Sequence, residues 1–245
     1  KADFITAAYD IKSGIASLTD EGVAQFTELA GLTAKATKST TGEMTSLFAT
    51  GYGIYKGYYS ELSDLEFGEM FAGGIATAVK AYKTSGSEMA SAISALGGTA
   101  TSANVPLEEQ LSVLGMLQAT MSGSEAATKY KALLNAATGA GEKLGLNFLD
   151  ADKQLRSLPE ILGILKSKYG DTIDAVEKKK IKEAFGSDEA VAVIDLLYGK
   201  TGELQTGILD MYDALGGGSS AAQEMATAIN ATESQKYTVL KQRLH

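Results

Sequence analysis

The sequence predicts an all-α fold, a globular array of about ten to twelve short to medium helices ending in a longer C-terminal helix. Three observations carry this. Apolar residues recur at three- and four-residue steps almost throughout. Helix start signals stand at the heads of these runs. No window alternates apolar and polar residues for long, and the β-branched residues are scattered, so strands lack their usual signature.

Phe67, Met70/Phe71, Gly74/Ile75, Ala78/Val79 and Tyr82 form the first strong helical stripe. Leu107, Leu111, Leu114, Leu117 and Met121 form a second, and Ala126, Tyr130, Leu133/Leu134 and Ala137 a third. Val191, Ile194 and Leu197 follow, then Leu204, Ile208, Met211 and Leu215. Thr40 with Glu43, Ser85 with Glu88, Ser122 with Glu125 and Ser220 with Gln223 have capping-box spacing. Pro106 suits a first helical turn, where a missing N–H costs nothing, and Pro159 opens a helix over Glu160 to Lys168 in the same way. Gly170 and Gly199 stand where left-handed C-caps are wanted.

The chain divides into an N-terminal helical part (1–140), a second helical part (141–215), and a hinge with a C-terminal helix (216–245), the three together reading as one module. Gly141 to Leu158 lacks a clean period and reads as a linker, and Gly216-Gly217-Gly218-Ser219-Ser220 as a flexible hinge. Beyond it, Ala221 to Leu244 reads as one helix with Met225, Ala228, Thr232, Val239 and Leu240 on a loose seam. A shift carrying residue 29 onto residue 93 places Leu29, Leu32, Ala36 and Thr37 on Ile93, Leu96, Ala100 and Thr101, a candidate duplicated helical unit. Each copy reads as a helix, an Ala-Thr loop and another helix. The opening Lys1-Ala2-Asp3, without Met or a signal pattern, reads as the start of a fragment cut from a longer protein.

Net charge is −8, with a pI near 4.8, which disfavours attraction to nucleic-acid phosphates or anionic lipid. The sequence has no Cys and no Trp, and its single histidine is His245, the last residue. Disulfides, thiolate chemistry and zinc-finger sites have no cysteine to draw on, and histidine acid–base catalysis has only the terminal His245. The best apolar run, Phe67 to Tyr82, is broken by Glu69 and Lys80 and falls short of the ~18 apolar residues of a membrane span.

Motifs that could carry chemistry are incomplete. Glu108-Glu109 sits in a helix's first turn, where acids favour the dipole. Asp150-x-Asp152 begins like a calcium loop, but Gln154 and Leu155 then occupy ligand and turn positions. Gly139-x-Gly141-x-x-x-Gly145 has the wrong spacing for a phosphate loop, and no strand precedes it. Gly199-Lys200-Thr201 matches the end of a P-loop, yet Ile194 replaces the first glycine. Lys178-Lys179-Lys180-x-Lys182, flanked by Glu177 and Glu183, reads as the solvated face of a helix whose apolar side carries Ile173, Val176, Ile181 and Phe185. The cluster Tyr52, Tyr55, Tyr58, Tyr59 leaves two readings open, a partner surface or packed core. No catalytic residue, cofactor-binding residue or metal ligand is assigned, and no cofactor is expected.

Several stretches together resemble one family. Leu29-Ala30-Gly31-Leu32-Thr33-Ala34-Lys35-Ala36-Thr37 is similar to its helix ending in Ala-Lys-Ala-Thr, and Glu88 to Leu96 to the helix before its central Ala-rich turn. Asn104-Val105-Pro106-Leu107-Glu108-Glu109-Gln110-Leu111 resembles its Glu-Glu helix start, with Pro106 in place of a capping Ser. Ser124 to Thr128 with Leu133-Leu134, Leu144-Gly145-Leu146, and Leu158 to Leu165 resemble its later helices and turn. From Ile5 to Gly199 the chain thus resembles the core region of phage tail tape measure proteins, minor tail proteins of phages and prophages. The resemblance implies a structural role without enzymatic activity: tail length determination, tail assembly and DNA ejection. It implies a place in the virion tail, and in the host cytoplasm during assembly. The implied partners are other tail proteins (tube, chaperone, distal tail) and further copies of the chain, with no specific nucleic-acid binding and no stable membrane span. Two alternatives stand beside it: a tail-associated peptidoglycan hydrolase segment, and a membrane-active helical protein suggested by Phe71 to Val79.

Overall fold

In a computed structural model, the backbone is described over residues 2–243 and side chains over residues 3–232. Among these residues the chain is helical without strands, apart from one isolated antiparallel bridge between Leu149 and Leu155. The helices are α1 (Ala2–Gly14), α2 (Asp20–Thr37), α3 (Thr41–Tyr55), α4 (Asp64–Tyr82), α5 (Gly86–Leu96), α6 (Thr99–Ser102), α7 (Leu107–Leu117), α8 (Gly123–Leu144), α9 (Leu158–Tyr169), α10 (Ala175–Phe185), α11 (Asp188–Leu197), α12 (Thr201–Gly216) and α13 (Ser220–Arg243). The all-α class and the longer final helix agree with the sequence. Lys1, Leu244 and His245 lie outside the described residues, as do the side chains of Val239 and Leu240.

Local chemistry explains most helix ends. Thr40 and Ser63 form complete capping boxes with Glu43 and Glu66. Ser85 and Ser122 accept from the backbone N–H of Glu88 and Glu125. Thr19, Ser157, Asp174 and Ser187 cap α2, α9, α10 and α11. Three expectations shift. Pro106 is the N-cap of α7, one residue outside the first turn. At the start of α13, Gln223 donates both its backbone N–H and its side-chain amide to Ser219, one residue before the expected Ser220. Gly199 lies in a 3₁₀ turn (Tyr198–Lys200) running from α11 into α12, so it ends no helix in the left-handed region. Lys38 and Lys83 take left-handed backbone at the ends of α2 and α4, where glycine is the usual choice.

The chain forms two compact units, residues 1–90 with 213–245, and residues 91–212. The boundaries fall within α5 and α12.

In the first unit α2 packs against α1, α3, α4 and α13. Its core is aromatic: Phe48 meets Phe26 and Phe71 edge-on at centroid distances of 6.2 and 5.2 Å, and Phe67 stacks on Phe71 at 5.9 Å. Gly51 makes room for this, since a Cβ there would lie 2.4 Å from the Phe71 ring. Thr33 and Thr37 are buried on α2 and donate to the carbonyls of Leu29 and Thr33, which satisfies their hydroxyls inside the helix. Ala36-Thr37 is therefore the last turn of α2, not a loop, while Ala100-Thr101 stands in the separate turn α6 after Gly97-Gly98. The Gly216–Ser220 segment is a tight turn, and the Gly218 carbonyl abuts α4 where a Cβ on Gly73 would come within 1.8 Å of it.

In the second unit α8 is central and packs against α6, α7, α10 and α11. Leu111, Leu114, Tyr130, Leu133, Leu162, Leu165, Ile181 and Ile194 are fully buried around it. Residues 141–144 complete α8, and Gly145 ends it at φ 67°. Phe148 then folds back onto Gly141, whose missing Cβ would stand 2.9 Å from the ring, and lies 6.3 Å from Phe185. On α10 Ile181 and Phe185 are buried, but Val176 is exposed and Ile173 precedes the helix, so the buried side is shorter than the sequence suggests.

Candidate functional site

Each motif weighed in the sequence takes a structural position. Asp150 accepts the backbone N–H groups of Asp152 and Gln154 on one oxygen, a local turn in which the carboxylate serves its own loop. Gly139 and Gly141 are interior to α8, so no phosphate-cradling loop forms there. In the lysine run, Lys178 pairs with Asp195 at 3.2 Å and Lys182 with Asp188 at 2.9 Å, both exposed. Lys180 lines a cleft of about 300 Å³ with Lys143, Lys168 and Glu183. Lys168 donates there to the carbonyl of Leu144 at the end of α8, where a cation complements the free carbonyls.

The tyrosine cluster divides between core and surface, with Tyr55 buried and Tyr52 and Tyr59 half-buried. Tyr55 is buried, and that burial drives its phenol pKa well above the usual tyrosine range. Tyr52 sits edge-on to Phe26 and Phe67 and donates to Asp64 at 2.7 Å. Tyr59 lies against Phe67, while Tyr58 is exposed. The Gly- and Ala-rich stretch Phe71 to Val79 is interior to α4, with Thr77 alone half-buried. Among the described residues no helix is long and apolar enough to cross a membrane.

A strongly perturbed carboxylate stands where the sequence left an ordinary first turn. Glu109 is 4% exposed, and its Oε2 accepts the backbone N–H of Leu158, the first residue of α9, at 3.2 Å. One carboxylate thus ties the start of α7 to the start of α9. Loss of hydration dominates and pushes its pKa up to about 7; the Leu158 N–H pulls the other way, and the nearby Glu108 and Glu160 carboxylates add repulsion. Burial raises Glu108 as well. Arg156 meets Glu160 at 3.5 Å at the edge of this group. Beside it, Gln110 is 1% exposed and donates to the Thr101 hydroxyl at 3.1 Å and the Val105 carbonyl at 2.8 Å, which ties α7 to α6. The Glu109 contact spans a sequence separation that no local signal covers, so residue spacing alone could not find it.

These polar side chains end on backbone and on one another. They hold helices in register, and among the described residues no group of three or more His, Asp or Glu could hold a metal ion. The fold and its buried polar joints define a module of packed helices.

The chain belongs to the phage-related minor tail protein family, whose sequence profile matches residues 1–186. No curated protein and no solved structure matches it. Membership gives it a structural role in the phage tail, a place in the virion tail, and other tail proteins as partners.

Proposed function

We propose that the chain is a folded module of a tail tape measure protein, acting in tail length determination, tail assembly and DNA ejection. The observation that carries this reading is the minor tail family match over residues 1–186 on a chain whose described residues are mostly helical. A length gauge needs a fixed rise per residue, which a helix supplies at about 1.5 Å. In this chain the helices turn back on one another within each unit, so its residues add far less length than a straight rod of 245 residues would, about 370 Å. The module is accordingly a folded station on the gauge, assembled in the host cytoplasm with the tube, the chaperone and the distal tail proteins, and with further copies of itself. No catalytic, cofactor or metal site is assigned to it, and its net charge of −8 argues against specific nucleic-acid binding.

The test is an in-frame insertion of about 70 helix-forming residues just after α13 in the encoding phage or prophage, with tail lengths measured by electron microscopy. The tails should lengthen by about 100 Å. Tails of unchanged length would refute the gauge reading while leaving family membership intact.

A further inference from the structure

Helix α13 is joined to its unit differently from its neighbours. It packs against α2 and α4, yet of its described side chains only Ala222 and Ala226 are buried, with Ala221, Met225 and Ile229 half-buried. The expected seam residues Ala228 and Thr232 face solvent. Each buried alanine withdraws a single methyl from water, whereas α2, α3 and α4 meet through whole phenyl rings. At the exposed rim, Lys35 of α2 donates to Asn230 of α13.

The start of the helix leaves space unfilled. A groove of about 700 Å³ opens there, lined by Leu29, Leu32 and Lys35 of α2, Leu65 and Glu69 of α4, and Gln223 of α13. The groove is open to solvent, so at its start α13 borders α2 and α4 along an edge that water reaches. The turn before it is anchored, with the Gly218 carbonyl seated on Gly73. Gly217 and Gly218 carry no side chain, and Gly218 already stands at φ 60°, so once the Gly218 carbonyl lifts off Gly73 the turn rotates with little steric resistance.

We propose that α13 is a detachable strap: it leaves the α2–α4 face as one helix, turning about Gly216–Gly218, while the Phe26–Phe48–Phe67–Phe71 core stays closed. Detachment widens the groove beside Leu29, Leu32 and Leu65 and bares the α2–α4 surface under Ala222 and Ala226. Local opening of this kind is sub-global, with a free energy below that of whole-unit unfolding.

Hydrogen exchange of the 245-residue chain, read by mass spectrometry, tests it. Amides of residues 221–232 should exchange at least about tenfold faster than the slowest amides of α2 and α4. Lys35→Ala should quicken 221–232 further and leave α2 and α4 unchanged. The sequence has no cysteine, so Lys35→Cys with Asn230→Cys, joined by a bifunctional thiol reagent, tethers the strap specifically. The tether should slow 221–232 to the rate of α2. Equal exchange in all three helices, a common rise on Lys35→Ala, or a tether without effect would overturn the proposal.

Discussion

Glu109→Gln should remove a pH-dependent weakness from the second unit. Glu109 is 4% exposed and carries a pKa of about 7 in place of 4.5. The folded state therefore binds the proton more tightly than the unfolded chain does. Stability contributed by the neutral acid is intact below pH 4.5, falls as pH rises toward 7, and stays lost above it. At about 1.4 kcal/mol per pH unit, the interval amounts to about 3 kcal/mol. Glutamine keeps the shape and a carbonyl oxygen for the Leu158 N–H, but cannot ionise. Denaturant unfolding followed by far-ultraviolet circular dichroism, at pH 4.5 and near pH 8, gives four stabilities for the pair of proteins. The variant should match the parent in acid and exceed it by about 3 kcal/mol at the higher pH. Glu108, also raised by burial, remains in both proteins and leaves a shared residual slope. Parallel pH profiles for the two proteins would refute the argument, since they would mean that Glu109 ionises without cost where it sits.

Other substitutions probe the packing. Phe48→Ala removes a fully buried ring touching Phe26 and Phe71 and should cost about 3–5 kcal/mol by denaturant unfolding. Within α3, Gly51→Ala should destabilise by about 1–3 kcal/mol because its Cβ would strike the Phe71 ring. Gly53→Ala meets open space in the same helix and should stabilise by about 0.5–1 kcal/mol, so thermal midpoints of the two variants should move in opposite directions. Thr40→Ala breaks a complete capping box and should cost about 1 kcal/mol, read as a shift in the denaturation midpoint.

Helix content was legible because its causes are local. The stripe from Phe67 to Tyr82 and the Thr40–Glu43 box need only residues within a turn or two of each other, and both reappear in α3 and α4. Local signals also erred where two neighbours compete for one role. Ser219 and Ser220 both suit an N-cap, and the turn seated on α4 selects Ser219. Gly199 looked like a helix end, but tight continuation into α12 made it part of a 3₁₀ turn. The tyrosines left two readings open because periodicity says which residues share a face and not what that face meets. Contact with Phe26 and Phe67 drew Tyr52 inward, while Tyr58, a few residues on, stayed exposed.

By itself, then, the sequence determined an acidic, all-helical chain without cysteine or an internal histidine, the places where most helices start, and its resemblance to tail proteins. Periodicity, capping and composition are properties of short stretches, and short stretches carry them into any tertiary context. Tertiary structure alone decided that Glu109 is buried against α9, that Gly51 and Gly73 are points of closest approach, and that Ala222 and Ala226 are the buried ones among the described side chains of α13. Those facts depend on which helices meet across long stretches of chain, and desolvation and packing act only once they have met.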